Sequence, residues 1–530
     1  MCGVFGAAST NEQVASLIYF GLYALQHRGQ ESAGMATSCD GAISLYKDMG
    51  TIDWVFRKRV PIEDVVSFVL CHKDLPRDDI VRFTRKFEQE NEKAALAHLP
   101  GNVGIGHVRY STTGASGNKN IHPILFPFRA RQAAMAHNGN LVRLKKLRDV
   151  VAQRGGYNFE GTTDTEFIAA LISTSPKETF LGALLETLPL LDGAFSLVLL
   201  YDDTVYAVKD RFSIRPLCVG KAKDAYIAAS ETCALDIVKA KFLKELGPGE
   251  GAILKPDGIE YFTWYQGGQI RRCVFDPGVY FSRPDSYTYT PQNSAKQMRK
   301  TSGRTLGQKH PVPHADIVVP VPDSGNAPAE GYAEAQGLPV VGAILRPHPL
   351  GRTFIEAVVE LRHEYRGLKY NPIRSDIEGK VVVVVDDSII RGTTIPYIVF
   401  VLTLFGAKEI HVRIAAPPLR YPCHLGVDLP WAKDFIANRV DEHGNVESRS
   451  VEEIRQELER QAQEFAREFE QETGVSLRGV GLETLAYLSL EDLILATGLR
   501  VNSFCTGCFD QNYPVRPEEG SYNPKEISSK

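Results

Sequence analysis

The sequence predicts a chain of mixed α/β and α+β class in two parts, the second built on a parallel sheet. Three observations carry this. The five valines at 381–385 leave no polar face, so they read as a strand buried on both sides, as strands of parallel sheets are. Residues 317–321 form a second apolar strand, followed by a tight turn and a helical run, which makes a βαβ unit. In the N-terminal half, alternating apolar stretches at 194–201 and 204–208 suit stacked sheets instead.

At 530 residues the chain has room for two or more domains and a large core. A composition of 43% hydrophobic and 23% charged residues is that of a soluble globular protein. Sixty basic against 64 acidic residues give a net charge of −4, which argues against a nucleic-acid partner. The longest apolar run, 397–407, is too short to span a bilayer, so no membrane partner is expected. The start, Met-Cys-Gly-Val-Phe-Gly, has no basic stretch of a secretory signal. Nine cysteines, an odd count, fit a reducing cytoplasm with thiols used as ligands or nucleophiles.

In chain order, Cys2 comes first. Were Met1 removed, Cys2 would carry a thiol beside a free α-amine, whose pKa of about 7.7–8.0 lets it act as a local base. Four polar segments follow. Residues 25–34 read Leu-Gln-His-Arg-Gly-Gln-Glu-Ser-Ala-Gly and contain Arg28. Residues 104–114 place Arg109 where a short strand enters a hydroxyl-rich loop. Residues 135–141 end a strand at Asn138-Gly139, which taken alone is a hairpin-turn signal. Residues 162–166 open a helix with Thr163 or Asp164 as its cap. Together, and behind Cys2, these segments resemble the class II glutamine amidotransferase domain, an N-terminal-nucleophile hydrolase with an αββα sandwich.

That resemblance implies a glutaminase domain over residues 2–265. Cys2 would attack the side-chain amide of glutamine, and Asn138 with the Gly139 N–H would form the oxyanion hole. Arg109 would pair with the glutamine carboxylate through its planar fork. Asp164 would accept the ammonium, and Arg28 would support the glutamine site. Residues 58–100 read as an inserted surface element with a helix near 88–98. Cys39, Cys71, Cys218 and Cys233 read as small buried apolar residues.

In the second half, Pro322-Asp-Ser-Gly325 is a tight turn, and the helix after it is stopped by Gly337. After the valine strand come Asp386, Asp387, Ser388, Arg391, Gly392, Thr393 and Thr394, then a helical run from Ile395 with Pro396 in its first turn. Carboxylates at the carboxyl end of a buried strand suit Mg²⁺ or a sugar diol. Hydroxyls and free N–H groups at a helix start suit a phosphate. The P-loop pattern is absent. The stretch resembles the phosphoribosyl-pyrophosphate (PRPP) loop of type I phosphoribosyltransferases. That resemblance implies a domain over 275–513, with Mg²⁺ held by Ser324, Asp386 and Asp387. PRPP would be bound by the 386–394 loop and by Arg352, in a basic lid at 346–371 hinged at Gly351 and Gly367.

The two halves in tandem resemble the amidophosphoribosyltransferase family, for which glutamine and PRPP are the substrates. Two rivals are another class II amidotransferase acting on a different acceptor and a non-catalytic PRPP sensor. The aspartate pair counts against the first, and the set Cys2, Arg109, Asn138 and Asp164 against the second. Cys273, Cys423, Cys505 and Cys508 could hold zinc or an iron–sulfur cluster on ligand chemistry alone. The family resemblance implies a [4Fe–4S] cluster, a homotetramer and purine nucleotide inhibitors. Ser450-Val-Glu-Glu453 is a capping box, and Ile454, Leu458, Ala462, Phe465 and Phe469 recur at helical spacing, so 450–473 is a long amphipathic helix packed on the body or on a partner subunit. Residues 514–530 read as a disordered tail.

Overall fold

Small and apolar residues over Gly3–Ser9 (β1) give a strand buried along its whole length. The computed structural model describes residues 1–11, 14–56, 96, 98–110, 118–287, 293–346, 370–429, 431–477 and 479–517. In it β1 is the middle strand of a seven-stranded antiparallel sheet. On one side lie β4 (Val103–Arg109), β2 (Ser32–Cys39) and β3 (Ala42–Met49). On the other lie β10 (Ala225–Ala229), β9 (Cys218–Lys221) and β11 (Lys241–Glu245).

A second antiparallel sheet runs β5 (Ile124–Phe128), β6 (Arg131–Leu141), β7 (Gly193–Tyr201), β8 (Thr204–Lys209), β12 (Glu250–Lys255) and β13 (Gly258–Thr263). The two sheets share a core of Val4, Ala8, Ile105, Ala134, Val198 and Val205, all fully buried. They approach so closely at Gly6 that a Cβ there would lie 2.5 Å from Val198 Cγ1. Helix α1 (Val14–Ala24) covers the outer face of the first sheet. Helices α2 (Leu144–Arg154), α3 (Thr165–Ser173) and α4 (Phe180–Thr187) cover the second. The layers are therefore αββα, the sandwich that the N-terminal motifs imply.

A four-stranded sheet in the second half is parallel throughout, in the order β14 (Ile317–Pro320), β15 (Val381–Asp386), β16 (Glu409–Ile414), β17 (Thr484–Tyr487). β15 lies inside it, and every one of its residues is buried. That is why five consecutive valines are tolerated: neither face meets water. Around the sheet lie α5 (Ala295–Lys309), α6 (Asn326–Gln336), α7 (Ile395–Leu404) and α8 (Val451–Thr473). Gly337 ends α6 at φ 67°, a left-handed conformation that glycine adopts without a Cβ penalty. Ser450 and Glu453 complete the capping box of α8. Its buried stripe, Ile454, Leu458, Ala462 and Ala466, joins the same core as β15 and α7, so α8 packs on the body. Phe465 and Phe469 are only partly buried, with their rings 6.2 and 5.8 Å from that of Phe400.

The chain divides into two units. One holds Met1–Arg272, His424–Asp428 and the residues from Pro514; the other holds Cys273–Cys423 and Leu429–Tyr513. Among the described residues, no helix is long and apolar enough to cross a membrane.

Three expectations need correction. Asn138-Gly139 is not a turn: both residues lie inside β6, opposite Ser196 and Phe195 of β7. Asp164 precedes α3, but its side chain does not cap the helix; it accepts the Leu141 N–H at 2.7 Å instead. Cys39 is exposed, because β2 ends there at the tip of a hairpin, whereas Cys218 and Cys233 are buried. Cys71, the 88–98 helix apart from residues 96 and 98, and most of the 346–371 lid lie outside the described residues. So does the chain beyond 517, whereas Val515, inside the expected 514–530 tail, is buried.

Leu458 is fully buried in the core beneath the 386–394 loop. We predict that Leu458→Ala destabilises this unit by about 2–5 kcal/mol, the usual cost of deleting buried methyl groups and leaving a cavity. Urea unfolding followed by intrinsic fluorescence checks this, and an unchanged midpoint would count against α8 as part of the core.

Candidate active sites

In the first unit, β1 and β6 belong to different sheets, and their ends bring Cys2 and Asn138 together. The Cys2 N–H donates to Asn138 Oδ1 at 3.3 Å, and its thiol points to the Tyr110 carbonyl at 3.6 Å. Asn138 is fully buried, and its Nδ2 has no hydrogen-bond partner. A buried amide donor left unmatched is costly, so it marks a place where an acceptor belongs. Arg28 is also fully buried; its Nε donates to the Cys2 carbonyl at 2.9 Å, and its Nη1 pairs with Glu231. Gly3 stands opposite Val108, so Arg109 at the end of β4 comes beside Cys2. Its Nη1 lies 3.8 Å from Glu31 Oε1. Asp164 is buried, with Oδ1 4.0 Å from His137 Nδ1.

Three histidines that sequence reasoning passed over line this region. His107 Nε2 meets the His137 carbonyl at 3.1 Å, and the His107 and His122 ring centroids lie 4.6 Å apart with the rings tilted at 51°. Burial pushes His107 down to about 3, His122 well below its usual value, and His137 downward as well. All three are therefore neutral at neutral pH. His107 and His137 sit within the segments that were singled out, but nothing in a linear string shows that they touch.

A second missed element is the segment His424–Asp428. Asn140 Nδ2 donates to the His424 carbonyl at 2.8 Å, and Arg215 Nη1 to the Gly426 carbonyl at 3.2 Å. Gly426 has φ 97°, and a Cβ on it would sit 3.1 Å from Gly139 Cα. The strand that carries Asn138 and Gly139 is thus backed by residues almost 290 positions away in sequence.

In the second unit, Asp386 and Asp387 end β15 with exposures of 6% and 4%. They are not a solvated turn. Asp387 N–H donates to Asp386 Oδ1 at 2.9 Å, and Ser388 Oγ to Asp387 Oδ2 at 2.8 Å. Pro320 stands opposite Val385, so the turn containing Ser324 comes to the same end of the sheet. The Arg346 guanidinium pairs with Asp323 in that turn at 3.0 Å. Thr394 precedes α7 without capping it, and Arg391 and Thr393 are exposed. Gly392 has φ 73°; a Cβ there would meet Ile436 Cδ1 at 2.9 Å and Leu458 Cδ2 at 3.2 Å. Helix α8 therefore braces the loop from behind. Arg352 lies outside the described residues.

Cys273, Cys505 and Cys508 are buried and Cys423 is half-buried. Burial pushes the Cys508 thiol well up, and Cys423, Cys273 and Cys505 act on it in the same direction. The N–H groups of Arg420 and Tyr421 both reach the Cys508 carbonyl at 3.1 Å.

Residues 107–236 match the glutamine amidotransferase domain family. The amidophosphoribosyltransferase of Synechocystis sp. is 35% identical over 97% of this chain and 91% of its own length. The chain belongs to the amidophosphoribosyltransferase family. The solved glutamine phosphoribosylpyrophosphate amidotransferase from B. subtilis, complexed with ADP and GMP, superposes with a TM-score of 0.80 at 34% identity, covering 99% of both chains. A structure described as the allosteric regulatory enzyme of purine biosynthesis gives 0.81 at 33% identity, over 100% of this chain and 99% of the other. As an amidophosphoribosyltransferase the chain is a glycosyltransferase-type enzyme acting at the first step of purine synthesis.

Within that amidophosphoribosyltransferase frame, the packing of Gly426 against Gly139 has a measurable consequence. We predict that Gly426→Ala lowers glutamine-dependent turnover by about tenfold or more, because strained backbone and a 3.1 Å contact push on the strand that bears Asn138. Synthesis from added ammonia should be unaffected. Equal losses in both assays would show that the segment acts only on overall folding.

Proposed function

We propose that the chain converts glutamine, PRPP and water to 5-phosphoribosylamine, pyrophosphate and glutamate, with ammonia passed internally between two active sites. The observation that supports the glutaminase half best is the unmatched Asn138 Nδ2 beside Cys2. With Met1 removed, the Cys2 amine takes the thiol proton and the thiolate attacks the amide carbon of glutamine. Asn138 Nδ2 and the Gly139 N–H receive the oxyanion. The amine returns its proton to the departing ammonia, and water then cleaves the thioester to glutamate. Arg109 binds the substrate carboxylate and Asp164 the ammonium. Arg28, through the Cys2 carbonyl, holds the nucleophile in place.

At the second site, Asp386 and Asp387 face the ribose, and their charge favours the positive character that develops at C1 as pyrophosphate leaves. Buried, adjacent carboxylates call for a cation, and with the Ser324 hydroxyl they form an all-oxygen donor set that fits Mg²⁺. When bound, Mg²⁺ supplies charge neutralisation for the departing pyrophosphate. Ser388, Arg391, Gly392, Thr393 and Thr394 hold the 5-phosphate at the start of α7. Arg352 and its basic lid contribute to PRPP binding on the strength of the family resemblance. The working boundaries are 2–265 for the glutaminase domain, 275–513 for the phosphoribosyltransferase domain and 514–530 for the tail.

The decisive experiment uses Cys2→Ala. We predict loss of all glutamine-dependent product with retention of ammonia-dependent synthesis from PRPP. If both activities fall together, the division of labour is wrong.

The four cysteine thiols, three of them buried and all acting on the Cys508 titration, suit a [4Fe–4S] cluster, which would tie the Cys505–Cys508 segment to Cys273 and Cys423 as a structural staple. We predict a brown protein with about four irons per chain, and a destabilised Cys505→Ser variant, because metal ligation contributes folding free energy. Stoichiometric zinc without iron in anaerobically purified protein would overturn this assignment. The reading extends to a homotetramer, purine nucleotide inhibition and a cytoplasmic location. Light scattering, rates with and without ADP and GMP, and cell fractionation test these in turn.

A further inference from the structure

Away from both sites, the amino-terminal edge of the parallel sheet gathers three metal-ligating side chains. Glu409 and His411 occupy alternate positions of β16, so their side chains leave the same face. His314 reaches them from the loop that leads into β14. His314 Nε2 lies 2.8 Å from Glu409 Oε2, and His411 Nε2 lies 3.5 Å from the same oxygen. One ligand atom from each residue lies within 4.8 Å of the other two.

The His411 ring is held in place from behind. Its Nδ1 bonds Thr484 Oγ1 of β17 at 2.9 Å, and that hydroxyl also accepts from Arg413 Nη1 at 2.9 Å. The side chain is 5% exposed, and its buried Nε2 makes no hydrogen bond. His314 and Glu409 are open to solvent, at 60% and 29% exposure. The cluster is therefore half socket and half surface, with one buried nitrogen turned towards a carboxylate.

We propose that His314, Glu409 and His411 form a binding site for a borderline divalent metal ion of the Zn²⁺ class, with water completing the coordination. Two imidazoles and a carboxylate are a donor set for zinc rather than for Mg²⁺ or Ca²⁺, which take oxygen ligands. Ligand bonds of about 2.0–2.2 Å around a tetrahedral ion set neighbouring donors about 3.3 Å apart. The distances of 2.8 and 3.5 Å bracket that value, so small side-chain shifts complete the site. The Thr484 hydroxyl is the outer partner that orients a ligating imidazole. The Arg413 guanidinium opposes a cation, so binding is weaker than at a closed structural site.

This site is separate from the carboxylates proposed for Mg²⁺. Asp386 lies at the carboxyl end of β15, while Glu409 opens β16 beside Val381, the first residue of β15. Six residues of strand separate the two ends by about 17 Å. The ion would clip the His314 loop to β16, so its effect is on stability rather than on chemistry.

The test is a calorimetric titration of zinc chloride into the full-length holoenzyme and into His314→Ala and Glu409→Gln, with X-ray absorption on the zinc-loaded protein. The expected result is a site with a nitrogen and oxygen shell showing imidazole scattering. Affinity should fall by at least about tenfold in both variants, and the zinc-dependent rise in Tm should vanish with it. His314 is exposed, so its variant should melt like the parent without zinc, and it decides alone if Glu409→Gln does not fold. Absence of zinc binding at neutral pH, a shell of sulfur only, or an unchanged affinity in His314→Ala overturns the proposal.

Discussion

Buried charge is the constraint around which both units are arranged. Arg28 and Glu231 pair with almost no exposure, and Asp164, Asp386 and Asp387 lie at or below 6%. A buried ion that loses its partner costs about 3–5 kcal/mol, so each such group holds its neighbours in one arrangement. The surrounding fold keeps water out. In the first unit two sheets close to the point where Gly6 cannot carry a Cβ. In the second, β15 is apolar on both faces until it reaches its two carboxylates. Charge held in such dry surroundings is screened little, so its electrostatic effect is strong.

What could be read in the sequence was what local chemistry decides. The valine strand, the stop at Gly337 and the capping box at Ser450 all stand where their residue types place them. The stripe of α8 was legible because helical spacing decides which side faces inward, though the two phenylalanines lie at its margin and Ala466 takes the inner position. The opposite case is Asn138-Gly139. Its local signal is a turn, yet pairing with β7 keeps it in a strand, and that pairing spans residues more than fifty positions apart. The same holds for Asp164, whose carboxylate prefers the Leu141 N–H over the helix start it was expected to cap. The histidine cluster and the support from Gly426 were invisible for the same reason: each is a contact and not a pattern.

Helix α8 shows how a stretch that reads only as an amphipathic helix comes to brace the 386–394 loop. Its Leu458 and the nearby Ile436 fill the space that a side chain at 392 would need. The left-handed backbone at Gly392 shapes the 386–394 loop, and the helix behind it prevents that loop from relaxing inward. Binding geometry at the loop and packing of the helix are therefore one property.

The first unit is not continuous in sequence, and this bears on the order in which it forms. Its own strands and helices are all present once residue 272 has been made, yet His424–Asp428 still belongs to it. Until the ribosome has added some 150 further residues, Asn140 and Arg215 lack the carbonyls of His424 and Gly426 as acceptors. A nascent chain thus holds the sandwich before it holds a finished site. An amidotransferase able to release ammonia would be completed only after β14, β15 and β16 had already been synthesised.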